Sequence, residues 1–194
     1  MRNRLMGLSI FLMILTIVPI PVRAESPRET IQRQVNRVLD VLRNSAEAKA
    51  VKEKKILSIV DEFFDYTELS KRTLANHWKS FSPEQQKEFT TLFGKLLGNV
   101  YMDRIMQYTN EKVVFGKETK LTDNTVEVQS EIVTQTKSIP LNYRMISQKG
   151  DGKVYDVVVE GISLVMNYRS QFREILANKP PEDLLKMLRE KVLK

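Results

Sequence analysis

The chain has 194 residues, one histidine, no cysteine and a formal net charge of +7 at pH 7. The absence of cysteine excludes thiol nucleophiles and thiolate metal sites, and a single histidine cannot make the usual zinc sites. The sequence contains neither a P-loop nor a dinucleotide-binding fingerprint, so the chain has no motif for using ATP to drive a process.

The N-terminus has the pattern of a secretory signal peptide. Two arginines precede an apolar run over residues 5–18, and Val22-Arg23-Ala24 has small residues at the positions that a signal peptidase reads. A membrane anchor is the alternative, but a spanning helix needs about 20 apolar residues and this run is shorter. We therefore predict a signal peptide over residues 1–24 and a single domain over residues 25–194.

Charge in the predicted mature chain is nearly balanced. Loss of residues 1–24 removes three arginines and no acidic residue, which leaves 28 basic and 24 acidic side chains. Such a mixed surface is typical of soluble domains. The small positive excess favours weak attraction to anionic membranes or acidic proteins, and nucleic acid is a poor candidate partner.

Helical periodicity dominates the first half of this domain. Ser26-Pro27-Arg28-Glu29 is a capping box with proline at the first helical position, and an apolar helical repeat follows it. A second helix is predicted to end near Asp65, which can cap a third. Ser82-Pro83-Glu84-Gln85 is another capping box, and it opens a long helix that reaches about Ile105.

The period then changes to two, which is typical of strands. We predict a short strand over residues 113–115, a half-buried strand over 125–134, a third over 139–145 and a fourth over 153–159. Lys149-Gly150-Asp151-Gly152 is a hairpin turn between the last two.

Two further helices are predicted after the strands. One begins near Asn167, and the other begins at Pro180-Pro181-Glu182. The order of helices, antiparallel meander and helices predicts an α+β fold, in which a four-stranded curved sheet has helices packed on one side.

Several motifs follow one another with a characteristic spacing. The pattern Tyr155-Asp156-x-x-x-Glu160-Gly161-Ile162-Ser163-Leu164, with Arg169 and Phe172 behind it, resembles the signature of the MlaC-type family of periplasmic phospholipid carriers, also called the toluene-tolerance family. Upstream, the sequence is similar to the family at Phe63–Tyr66, at Leu74 and Trp78, over Ser82–Phe89 and at Leu96, Leu97 and Tyr101. Two departures are Lys87, where arginine is usual, and Ala75, where the family often has glycine.

The resemblance implies a periplasmic, NTF2-like, cone-shaped carrier with a deep apolar cavity between sheet and helices. It implies phospholipid as cargo without any cofactor, and a monomeric protein. The implied partners are an inner-membrane ABC transporter complex with its substrate-binding MCE component, and an outer-membrane lipoprotein complex. Such a carrier would maintain the lipid asymmetry of the outer membrane.

Transfer energetics dictate what such a carrier needs. Moving a two-tailed lipid with about 30 methylenes out of a bilayer forfeits roughly 25 kcal/mol, which polar contacts at about 1 kcal/mol each cannot replace. The resemblance therefore points to apolar lining residues on three parts of the fold: Phe93, Leu97, Tyr101 and Ile105 on the long helix, Val128, Ile132, Leu141, Tyr143, Met145, Val157 and Val159 on the sheet, and Ile162 and Leu164 at the mouth or end of the cavity. An ordinary filled core is the alternative for each of them.

Tyr168 and Arg169 are candidates for the cavity rim, where a guanidinium could bind a lipid phosphate. A surface salt bridge is the alternative interpretation for Arg169. Asp156 and Glu160, four residues apart on one predicted strand, could act as acid and base. The favoured interpretation is structural: they fix the strand end and the following turn by binding backbone N–H groups or a nearby arginine.

Catalysis has little support in the sequence. Gly161-Ile162-Ser163-Leu164-Val165 is close to the G-x-S-x-G elbow of hydrolases but lacks its last glycine, and His77 lies far upstream. We therefore expect no enzyme and no metal site. Two other functions stay open: a carrier of another lipid such as a hopanoid, and a periplasmic interaction or assembly factor with a filled core.

Overall fold

The computed structural model describes residues 25–108, 111–148 and 151–193. Within them the chain first forms four α-helices, then an antiparallel sheet, then two more helices. The elements are α1 (Pro27–Arg43), α2 (Lys49–Phe63), α3 (Tyr66–Leu74), a 3₁₀ helix (Ala75–Ser80), α4 (Pro83–Met106), β1 (Lys112–Thr122), β2 (Thr125–Val133), β3 (Ser138–Gln148), β4 (Asp151–Val159), β5 (Ile162–Ser163), α5 (Leu164–Leu176) and α6 (Pro181–Val192).

Local capping signals determine where the first helices begin. The hydroxyl of Ser26 accepts from the N–H of Glu29, and the Glu29 carboxylate accepts from the N–H of Ser26. Ser82 and Gln85 form the same reciprocal pair at α4, and the Asp65 carboxylate accepts from the N–H of Glu68 at 2.8 Å. Both predicted capping boxes and the predicted cap at Asp65 are confirmed.

The five strands lie in sequence order, each antiparallel to the next. The α+β prediction is confirmed, with one strand more than expected: two-residue β5, which pairs with the end of β4. Strand β1 is also much longer than predicted. Its second half lacks apolar alternation because it lies at the sheet edge with exposed residues, and its register with β2 shifts between Phe115 and Glu118. Residues 149 and 150 of the predicted hairpin turn lie outside the described part.

Buried apolar side chains form two separate clusters. The sheet-facing cluster lies between α1, α2 and one face of β2–β4, and its buried members are Ile31, Ile59, Phe63, Val128, Tyr143, Met145, Val154 and Val157. The helical cluster lies between α3, α4, α5 and α6 and includes an aromatic group of Phe81, Phe89, Phe93, Tyr168 and Phe172. Helix α4 packs most extensively against α6, so its apolar face is used mainly within the helical cluster.

Ala75, between α3 and the 3₁₀ helix, has φ 49° and ψ −120°. Such a conformation costs a residue with a Cβ about 1–3 kcal/mol, whereas glycine adopts it freely. We expect Ala75→Gly to stabilise the protein by about 1 kcal/mol in urea denaturation, after allowing for the greater chain entropy of glycine. Ala177→Gly is the matched control, because Ala177 has φ −63°; it should be neutral or destabilising. Equal effects of the two changes on stability would contradict the interpretation that the backbone at Ala75 is strained.

An ion pair joins α4 to α6. The Arg189 guanidinium donates from Nε and Nη2 to the two carboxylate oxygens of Glu88, at 2.6 and 3.0 Å, and from Nη1 to Glu182. The hydrogen bond from Arg189 lowers the pKa of Glu88 below its ordinary value of 4.5. A carboxyl whose pKa is lower in the folded state contributes stability above its unfolded pKa, and loses that contribution as the pH falls through the folded pKa.

We therefore expect Glu88→Gln to lower the thermal midpoint at pH 7 by a small amount, since both partners are partly exposed. The difference between parent and variant should shrink as the pH is lowered toward 3. Glu190→Gln, at an exposed position of α6 next to Arg189, controls for the loss of one negative charge. If the difference in thermal midpoint between the parent and Glu88→Gln stayed constant with pH, the ionisation of Glu88 would not contribute to stability as described.

Candidate functional site

A sharp chain reversal separates β4 from α5. Glu160 and Gly161 have φ angles of 49° and 83°, and the Glu160 N–H donates to the Pro140 carbonyl at 2.9 Å. Only glycine adopts such angles at little cost, and no atom lies within 4 Å of where a Cβ of Gly161 would stand. Strand β4 ends at Val159, so Glu160 lies in the turn, not on the strand beside Asp156 as predicted.

Asp156 holds this reversal together. The whole residue is 1% exposed. Its carboxylate accepts from the Ser163 hydroxyl at 2.6 Å, from the Val165 N–H at 3.0 Å and from Nη1 of Arg144 at 3.3 Å. The structural interpretation of Asp156 is therefore confirmed: it binds a backbone N–H group and a nearby arginine.

Ser163 is the N-cap of α5. Its hydroxyl accepts from the Met166 N–H at 3.1 Å while donating to Asp156. The predicted start of this helix near Asn167 is wrong, because the cap at Ser163 begins the helix at Leu164. The hydroxyl therefore donates its hydrogen to a carboxylate and accepts from a backbone N–H. A serine activated for catalysis donates to a histidine instead. The described residues contain no group of three or more side chains placed to hold a metal ion.

The predicted lining residues of the sheet lie on one face. Val128, Tyr143, Met145 and Val157 are buried in the sheet-facing cluster, and Leu141, Val159 and Leu164 are half-buried against it. Ile132 is buried on the same strand as Val128 and alternates in phase with it. Ile162, at the short strand β5, is 64% exposed.

Helices α1 and α2 supply the opposite wall. Ile31, Ile59 and Phe63 are buried there, and four half-buried valines stand beside them: Val35, Val38, Val41 and Val60. None of these residues is among the predicted lining residues. The helical spacing of these residues predicts that one face of each helix is buried. It does not predict which face of the sheet that helix covers.

The predicted residues of α4 do not all reach the sheet. Phe93 and Leu97 are buried in the helical cluster, and Tyr101 packs against that cluster half-buried. Burial raises the pKa of the Tyr143 hydroxyl, and the neighbouring Tyr108, just past the end of α4, adds to this increase. Ile105, one turn earlier, is half-buried.

The two predicted rim residues have structural contacts. Tyr168 is 8% exposed, and its ring packs against those of Phe93 and Phe172. Arg169 donates from Nε and Nη2 to the carbonyl of Arg72, at 3.0 and 2.5 Å, near the C-terminal end of α3. A head-group role for either residue stays a prediction.

The sheet-facing cluster has half-buried apolar residues on both of its walls. They pack against the cluster from α1 and α2 on one side and from β1–β4 on the other. Fully enclosed apolar residues lose nearly all contact with solvent because protein interiors are close-packed. These half-buried residues instead keep apolar surface that reaches solvent.

Two surface depressions elsewhere contain none of the predicted lining residues. One lies along α2, lined by Ala50, Glu53, Lys54, Leu57, Ser58, Asp61 and Glu62. The other lies beside the end of α4, lined by Glu47, Lys49, Lys52, Asp103, Met106 and Gln107. Both are rich in charged side chains, which suits neither for apolar chains. Among the described helices, none combines the length and apolar character needed to cross a membrane.

Comparisons with known proteins agree with the fold. The family model described as MlaC protein matches residues 32–190. A curated relative, the intermembrane phospholipid transport system binding protein MlaC of Haemophilus influenzae, is 29% identical over 99 residues, which span 48% of this chain and 46% of the relative. A solved structure of a phospholipid-binding protein from Ralstonia solanacearum, in complex with a phospholipid, is 22% identical with a TM-score of 0.77; the match covers 86% of this chain and 96% of that one.

Proposed function

Because the chain belongs to the MlaC family, we propose that it is a periplasmic carrier that binds phospholipid and moves it between the inner and outer membranes. The acyl chains would lie between α1–α2 and the inner face of the sheet. The observation that carries this proposal is the set of half-buried apolar side chains on both of these walls.

The energetics of extraction favour this location. A lipid that leaves a bilayer must find apolar surface for about 30 methylenes, each worth about 0.8 kcal/mol. The half-buried valines and leucines of the two walls offer such surface, and the lipid would bury them in turn. The names of the relatives support the same chemistry, since one is an intermembrane phospholipid transport protein and another was solved with a phospholipid bound.

Direction and partners complete the proposal. The sequence has no motif for using ATP, so direction must come from the relative affinities of the complexes that give and take the lipid. We propose that these are an outer-membrane lipoprotein complex and an inner-membrane ABC transporter complex with an MCE component. Cleavage after Ala24 would deliver the chain to the periplasm.

The test is to express the full chain in a Gram-negative host, purify it from the periplasm and analyse its organic extract by mass spectrometry. We expect intact phospholipid in a fixed ratio to protein, and a mature N-terminus at Glu25. A polycyclic lipid in the extract would support the hopanoid carrier instead. Protein that repeatedly carries no lipid and takes none up from vesicles would favour the interaction factor.

We also propose that the protein is not an enzyme, because the Ser163 hydroxyl serves as a helix cap and donates to Asp156. The assay is hydrolysis of short-chain esters and of phospholipid by the parent and by Ser163→Ala. An esterase activity that disappears in the variant would overturn this proposal.

A further inference from the structure

Tyr143 places a phenol hydroxyl in the middle of the sheet-facing cluster. It lies on β3, directly opposite Val128 of β2 and Val157 of β4, and all three residues are buried in that cluster. Tyr143 is 9% exposed, and the side chains that form the cluster with it are apolar. The wall that we propose for the acyl chains therefore carries a hydrogen-bonding group near its centre.

The Tyr143 hydroxyl is unpaired within the described part of the chain, where no hydrogen bond of this group is found. Buried tyrosine hydroxyls usually have a partner. In the same part of the chain, the polar side-chain atoms that are both sealed from solvent and unpaired belong to Glu47, Ser70 and Thr73. The Tyr143 hydroxyl is not among these atoms, so it keeps contact with solvent while the rest of the residue is buried. It is therefore available to a ligand that lies against the wall.

Exposure rises from Tyr143 toward one end of the wall. Along β3, Met145 is 1% exposed and Leu141 is half-buried. Leu141 pairs with Val159, and Val159 pairs with Ile162, which is 64% exposed. Tyr143 lies two residues from Leu141, which is about 7 Å along a strand. It thus stands between the fully buried part of the wall and its open end at Ile162.

We propose that the Tyr143 hydroxyl donates a hydrogen bond to an ester carbonyl of the bound lipid. The inference rests on the proposed function and adds the kind of lipid linkage that the wall recognises. In a lipid with its tails on the buried part of the wall and its head group toward Ile162, the ester groups come between the two, where Tyr143 lies. A neutral carbonyl suits this place better than a phosphate, because a buried charge needs a charged or hydrogen-bonding partner and the rest of the cluster is apolar.

The Tyr143 hydroxyl is a donor at neutral pH. Burial raises the pKa of this phenol above its ordinary value of 10, so it stays protonated. An ester carbonyl is an acceptor for such a donor, whereas an ether-linked lipid has a methylene group in place of that carbonyl. Loss of one hydrogen bond changes an affinity by about three- to tenfold. The protein should therefore prefer ester-linked to ether-linked lipids of the same head group.

The experiment uses the mature protein and vesicles that contain equal amounts of two phosphatidylglycerols, which have chains of equal length and differ only in their ester or ether linkages. After incubation and re-purification, mass spectrometry gives the ratio of bound diester to bound diether lipid. We expect a ratio of about three to ten for the parent and about one for Tyr143→Phe. Total lipid per protein should be the same, because phenylalanine keeps the ring and removes only the hydroxyl.

Tyr155→Phe is the matched control. Tyr155 is a buried tyrosine of β4, 5% exposed, but it lies outside the sheet-facing cluster, with the guanidinium carbon of Arg72 4.1 Å from its ring centre. A ratio that falls for Tyr143→Phe and stays at the parental value for Tyr155→Phe supports the inference. Equal ratios in the parent and Tyr143→Phe, or equal falls in both variants, would overturn it and leave the proposed carrier function intact.

The parental ratio decides the question if Tyr143→Phe does not fold, which its thermal midpoint reveals. A parental ratio of about three or more supports the hydrogen bond, and a ratio of about one at full lipid load overturns it. Failure of the parent to take up either lipid would overturn the proposed function and this inference together.

Discussion

Asp156→Asn is expected to destabilise the protein by about 3 kcal/mol in urea denaturation. The carboxylate accepts three hydrogen bonds while almost completely buried, and hydrogen bonds to charged groups contribute about 1.5–3 kcal/mol each. An asparagine at this place keeps one acceptor oxygen for the Val165 N–H. It also turns an NH₂ group toward donors and removes one of the two carboxylates that Arg144 pairs with among the described residues, Glu127 being the other.

Two further variants separate the contribution of the Asp156 carboxylate from those of the Ser163 helix cap and of a nearby negative charge. Ser163→Ala removes the N-cap of α5 and should cost about 1 kcal/mol, clearly less than Asp156→Asn. Glu160→Gln changes a nearby carboxylate that is exposed and should stay within about 0.5 kcal/mol of the parent. If Asp156→Asn were as mild as Glu160→Gln, the hydrogen bonds at the reversal would not hold the strand to the helix as described.

Filling the proposed acyl-chain space should abolish lipid binding without unfolding the protein. Val38 of α1 and Leu141 of β3 are half-buried members of the two opposite walls. We expect Val38→Trp combined with Leu141→Trp to reduce co-purified phospholipid severely. Its thermal midpoint should remain near that of the parent, because the indoles occupy space that a lipid would otherwise fill.

The matched control is Val128→Trp, at a position with 0% exposure in the same cluster. There the larger ring has no free space and should overpack the core, at a cost of about 1–3 kcal/mol. A sharp loss of stability in the double variant, with lipid content unchanged, would mean that the space between the walls is already filled by protein.

The elements that the sequence predicts well are those governed by neighbours in the chain. The capping boxes at Ser26 and Ser82 are confirmed because all their partners lie within three residues. The predicted start of α5 near Asn167 is wrong. The real cap, Ser163, is oriented by Asp156 through a contact across the chain reversal, which no local pattern reveals.

The residues that form the candidate site also depend on long-range contacts that local patterns do not reveal. Alternation along β2–β4 put Val128, Tyr143 and Val157 on one face, as the structure has them. The helices that cover this face were assigned wrongly in part, since Phe93 and Leu97 of α4 pack in the helical cluster while α1 and α2 cover the sheet. Apolar helices differ little in pattern, and the choice between them is made by long-range packing.

The two edges of the sheet differ in a way that bears on solubility. At the β4 side, Phe64 pairs with Val154, the Asp65 N–H donates to the Val154 carbonyl, and β5 covers the strand end. At the other side, β1 is long, but it is kinked by two register shifts and carries several exposed lysines, Lys112, Lys117 and Lys120. Irregular backbone and lysine side chains disfavour pairing between the edges of two molecules. If the chain carries lipid as proposed, this edge would protect the lipid-free form from growing into intermolecular sheets.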